Sequence, residues 1–143
     1  MQKTELINRQ RKVKINLESF LEFTGKAIGE IAEARGKHAV IAFVSDKKMR
    51  QLNKAFRAKN ATTDVLSFPF QADEFEAEKN NLGDIIISAE QALRQAGVNN
   101  LDFETEIKQL ILHGILHLCG FDHETDDGEM NVRELELREK LGI

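Results

Sequence analysis

The chain has 143 residues, 41% apolar and 31% charged, with no Trp, no Tyr, one Pro and one Cys. That length suits a single domain, 1–143, with a core that needs neither disulfides nor a structural metal, and no apolar run reaches the roughly 20 residues of a membrane helix. A net charge of −4 argues mildly against a nucleic-acid partner, but the basic residues are segregated into 1–14 and 46–59, which permits a basic face on an acidic protein. The second stretch carries Lys47, Lys48, Arg50, Lys54, Arg57 and Lys59 against Asp46 alone. The N-terminal residues lack the apolar core of a signal peptide, and one cysteine cannot form an internal disulfide, so the cytoplasm is the expected location.

In chain order, Val13–Ile15 reads as a short strand, after which Asn16 can cap a helix with Leu17, Phe20, Leu21, Ile28 and Ile31 at a 3.6-residue period. Gly36 lies just beyond it. The β-branched run 38–45 predicts a strand, and Ser45 or Asp46 then caps a helix with Met49, Leu52 and Phe56 on one side and its lysines on the other. Two further strands, 64–70 and 82–88, flank an acidic connection that is long for its kind and is expected to be mobile. Ser88 can start a short helix as a capping box with Gln91, and Gly97 is expected to stop it. Asp102 can cap the next helix, with Glu104 and Glu106 in its favourable first turn, and a last helix is expected to open at Thr125 or Asp126 and run through Met130, Leu137 and Leu141. The order predicts one α+β domain, with a mostly parallel or mixed sheet of about four strands and about five helices.

Three of the four histidines fall in HGILHLCGFDH, 113–123. His113 and His117, four residues apart, leave a helix about 40° apart and can share one ion. Gly120 can end that helix and let the chain return His123 to the same point, which makes a three-histidine claw. Three neutral imidazoles with an open fourth position suit catalytic zinc, although nickel, copper or another transition metal also accepts such a set. Cys119 would face away from the claw and reads as a small buried hydrophobe. Asp122 can either orient His117 or His123 or cap the turn before His123, while Asp64 and Ser67 at a strand end can simply satisfy backbone groups. The spacing resembles the zinc site of metzincin proteases, but their general-base Glu is replaced by Gly114, which close helix packing or close approach of a substrate would explain.

HGILHLCGFDH, together with LNKAFRAKNATTDVLSFPF (52–70) and GDIIIS (83–88), resembles the YbeY family of ribosomal-RNA maturation factors, single-strand-specific endoribonucleases. The likeness covers most of 38–123; outside it only compatible helices are evident. It implies metal ligation by His113, His117 and His123 around one divalent ion, and an important arginine at Arg57. Catalysis would then fall to Arg57, His113 and His117. Cleaving a phosphodiester builds charge on non-bridging oxygens, which a guanidinium can hold two at a time. If Arg57 stands across the cleft from the claw, Lys47, Lys54 and Lys59 of the same segment would guide the RNA backbone.

The implied activity is metal-dependent cleavage of single-stranded RNA in ribosomal RNA maturation, at the 3′ end of the small-subunit RNA, and in ribosome quality control. The implied partners are precursor RNA and the ribosome, with ribosomal or assembly proteins as further candidates, no membrane, and a monomeric state. Two other readings stand beside it. One is a ribosome-assembly binding factor whose metal is structural; the other is a metallohydrolase of another substrate.

Overall fold

The computed structural model describes residues 3–70, 80–122 and 124–143. Its elements are β1 (Glu5–Asn8), α1 (Leu17–Glu30), β2 (His38–Val44), α2 (Asp46–Arg57), β3 (Val65–Pro69), β4 (Asn81–Ser88), α3 (Ala89–Val98), α4 (Phe103–Leu118) and α5 (Glu129–Leu141). The strands form one mixed sheet in the order β1-β2-β4-β3, with β1 and β4 parallel to β2 and β3 antiparallel to β4. The expected α+β architecture is therefore the one observed.

The alternation of side chains across the strands divides the core. Ala39, Ile41 and Phe43 of β2 and Ile85 and Ile87 of β4 join Ile107, Ile111 and Ile115 of α4 and Phe20, Ala27 and Ile28 of α1 in the main cluster. Val44, Met49 and Leu66, with Leu52, Phe68 and Ile86 packed on them, make a smaller cluster around α2. Four helices take the capping residues the sequence offers: Asn16, Ser45, Ser88 and Asp102 each accept a hydrogen bond from the backbone N–H three residues on.

Three local expectations are corrected. The first strand is Glu5–Asn8, not Val13–Ile15. The Gln10 side-chain amide takes the place of a strand partner for Val13, accepting from its N–H at 2.9 Å and donating to its carbonyl at 2.8 Å. Gly97 does not stop α3, which runs to Val98; Asn100 adopts the left-handed turn instead, at φ 55°. The last helix begins at Glu129, yet Asp126 still serves its N-terminus, accepting from the N–H groups of Gly128 and Met130 at 2.8 and 3.0 Å. Most of the acidic connection, residues 71–79, lies outside the described residues.

Gly114 has a packing explanation. A Cβ built there would stand 2.9 to 3.1 Å from three side-chain carbons of Ile85, so α4 lies against β4 too closely for any larger residue. Gly114→Ala should lose about 1–2 kcal/mol in urea unfolding, because overpacking exceeds the roughly 1 kcal/mol gain in helix propensity. Gly29→Ala in α1, with nothing within 4 Å of its Cβ position, provides the control and should be neutral or stabilising. Equal effects at both sites would contradict the packing account.

Candidate active-site cleft

The 16-residue α4 starts at the Asp102 cap, buries Ile107, Leu110, Ile111, Ile115 and Leu116, and carries His113 and His117 half-buried near its C-terminal end. It ends in a Schellman turn: Gly120 N–H donates to the His117 carbonyl at 3.0 Å and Phe121 N–H to the Leu116 carbonyl at 3.1 Å. Gly120 takes φ +98°, which a side chain would oppose. The same turn brings the Phe121 carbonyl back to 3.0 Å from His117 Nδ1.

His113 is held differently. Its Nδ1 lies 2.6 Å from Glu134 Oε1, and the other oxygen of Glu134 is bound by Arg138 one turn further along α5. Burial alone would raise the Glu134 pKa, but the hydrogen bond and charge of His113, together with Arg138, outweigh it and hold the carboxyl below its ordinary 4.5. Glu134 is thus an ionised acceptor, and the Phe121 carbonyl can only accept. Both histidines therefore carry their proton on Nδ1 when neutral, and both Nε2 lone pairs are directed outward. The two Nε2 atoms converge to 3.0 Å. Two nitrogens on one tetrahedral zinc would stand about 3.3 Å apart, so the donor set fits a shared transition-metal ion.

These histidines open on a cleft of about 470 Å³. Gly120, Phe121, Asp122 and Glu124 continue their side; Arg57, Thr63, Asp64, Val65, Ser67 and Pro69 border the same cavity from α2 and β3. Arg57 is the last residue of α2, which Ala58 terminates in the left-handed conformation at φ 55°. Buried Asn53 fixes the turn beyond by donating to the Ala61 carbonyl at 2.9 Å. Asp46 fixes the other end of α2, accepting from Ser88 Oγ at 2.6 Å, Thr62 Oγ1 at 3.1 Å and Arg94 at 2.5 Å. Burial would raise the Asp46 pKa, yet these bonds more than offset it and the net shift is downward. No carboxylate among the described residues pairs with Arg57, which leaves its donors open to a ligand.

The other residues singled out in the sequence divide. Asp122 caps the turn, its carboxylate accepting from Glu124 N–H at 3.0 Å, and the bond at His117 Nδ1 comes from the Phe121 carbonyl; the alternative that Asp122 orients His123 lies outside the described residues. His123 lies outside the described residues. Asp64 binds the Val65 N–H at 2.7 Å while lining the cleft. Lys47, Lys54 and Lys59 are exposed and do not line the cleft. Cys119 packs half-buried against the main core, and burial pushes its thiol pKa up, with Glu33 adding to the effect. Glu134 is the residue that sequence reasoning missed. Its signal was a carboxylate at i+4 on the face that Met130, Leu137 and Leu141 define at i, i+7 and i+11.

A mixed-sheet α+β domain with a helix-borne histidine pair opening on an arginine-bordered cleft defines the class of a small α+β enzyme. Residues 5–142 match the family model described as Endoribonuclease YbeY, and the chain belongs to that family. The match extends the likeness to both terminal regions. A Clostridioides difficile relative named Endoribonuclease YbeY is 38% identical over 147 residues, 96% of this chain and 95% of the relative. One of the same name from Koribacter versatilis is 44% identical over 128 residues, 90% of this chain and 77% of the relative. The solution structure of a Thermotoga maritima protein matches with a TM-score of 0.65 at 28% identity, covering 96% of this chain and 89% of that one.

Proposed function

We propose that this protein is a metal-dependent endoribonuclease that cuts single-stranded RNA during ribosomal RNA maturation. The observation that carries the chemistry is the convergence of the His113 and His117 Nε2 atoms at 3.0 Å in a cleft that Arg57 also borders. His113 and His117 would hold one divalent ion, zinc or a similar transition metal, with His123 as third ligand by its spacing. When bound, the ion supplies Lewis acidity to a phosphodiester. Family membership supports RNA as the substrate.

The chain's own groups perform the rest. Glu134 and the Phe121 carbonyl hold each imidazole in the tautomer that presents Nε2. Arg57 receives two non-bridging phosphate oxygens and stabilises the charge that grows on them. Lys47, Lys54 and Lys59 attract the flanking backbone from outside the cleft, so their contribution shrinks at high salt. A peptidase reading loses its support at Gly114: a side chain there meets Ile85 and points into the sheet, so a metzincin-type base has no room.

Purified protein should cleave single-stranded RNA, lose activity on chelation, recover it with one equivalent of metal, and leave peptides intact. Analysis of the product ends then identifies the attacking group, since a 2′,3′-cyclic phosphate reports the ribose hydroxyl and a 5′-phosphate reports water. Cleavage indifferent to thorough chelation would remove the metal from the mechanism. Glu134→Gln should weaken metal affinity about 10- to 100-fold, read by competition with a chromophoric chelator. Unchanged affinity would reduce Glu134 to a packing role.

A further inference from the structure

Asp64, Val65 and His113 border not one cavity but two. The second, about 560 Å³, is lined further by Glu106, Asn99, Gln95, Gln109 and Arg138, with Leu101 and Leu110 as apolar surface. Glu106 is 3% exposed. One of its oxygens accepts from Asn99 Nδ2 at 2.9 Å, while the other has no hydrogen-bond partner among the described residues. Arg138 Nε is also buried without a partner. Buried polar groups are nearly always satisfied, so the unmatched Arg138 Nε, at the wall of a cavity onto which the second Glu106 oxygen is open, points to a ligand there.

Resting on the nuclease reading, we propose that this second cavity is a nucleobase subsite that receives the unpaired base beside the cleaved phosphate. Charge decides against a second phosphate position, because Glu106 and Asp64 place two carboxylates around the single guanidinium of Arg138, itself already bound to Glu134. A base is neutral and planar, with apolar faces for Leu101 and Leu110 and an edge of alternating donors and acceptors for Glu106, Gln95 and Gln109. Base pairing occupies the Watson–Crick edge, so the pocket admits only unpaired nucleotides. Single-strand preference would then arise here rather than at the phosphate, which duplex and single strand share.

The test is binding of a short fluorescent single-stranded RNA, followed by anisotropy and checked on a gel for integrity, with one abasic nucleotide moved through successive positions. Wild-type protein should lose about tenfold in affinity when the abasic site falls at the position that enters the pocket. Glu106→Gln keeps the shape and the Asn99 bond but removes the open acceptor, and Gln109→Ala removes a neighbouring amide. In both, intact RNA should bind about tenfold more weakly and the abasic penalty should vanish, a coupling that a purely structural role would not produce. The proposal is overturned if no abasic position matters, or if the penalty persists undiminished in both variants. RNA bound with this signature but never cut retains the subsite and removes the nuclease reading. RNA cut without any abasic penalty does the reverse, and RNA neither bound nor cut removes both.

Discussion

His117→Ala should abolish retention of the metal and lower RNA cleavage by roughly a thousandfold, while the protein remains folded. Polarisation of a phosphoryl oxygen by a bound ion contributes several kcal/mol to a transition state, and each 1.36 kcal/mol is about tenfold in rate. The fold has little to lose. The main cluster is built from Phe20, Ile41, Phe43, Ile85, Ile107, Ile111 and Ile115, none of which touches solvent appreciably, whereas His117 is half-buried at the cleft. Its bond to the Phe121 carbonyl contributes about 1 kcal/mol, and the Schellman turn beside it keeps its own two backbone bonds. Metal content after dialysis, a thermal melt and single-turnover cleavage on one preparation decide the matter. A His117→Ala protein that is unfolded at room temperature would make the site structural and favour an assembly factor over an enzyme.

The distinction between what periodicity encodes and what it does not runs through the site. Helix α4 was legible because Asp102, the apolar positions 107, 111 and 115 and the terminal Gly120 are local signals within one segment. The facing of His113 and His117 follows from the same geometry. Glu134 was not legible, since its pairing with His113 bridges two helices whose relative placement depends on packing rather than on either period. Gly114 illustrates the limit from the other side. Sequence alone allowed packing or substrate contact, and only the registry of α4 against Ile85 decides for packing. The first strand was misplaced because a single side-chain amide, Gln10, can satisfy a backbone as a strand would, and nothing in a hydrophobic pattern announces that.

Arg57→Ala should lower kcat about 100- to 1000-fold with a much smaller change in KM. Removing one donor aimed at charge that develops in a transition state costs about 3–4 kcal/mol elsewhere, and a guanidinium open to the cleft is such a donor. Ground-state RNA is held by many backbone contacts, so one fewer has a modest effect on binding. Folding should hardly respond, since the side chain is exposed and lies at the end of α2, where Asn53 and the Ala58 turn hold the backbone independently. Arg57→Lys separates charge from geometry. An ammonium keeps the positive charge but lacks the planar fork that meets two phosphate oxygens together, so lysine should recover only part of the lost rate. Alanine substitution of Lys47, Lys54 and Lys59 should behave oppositely, raising KM at low salt, with the effect fading as ionic strength rises. If Arg57→Ala raised KM and left kcat intact, the guanidinium would bind substrate and transition state equally, and its place would be with those lysines.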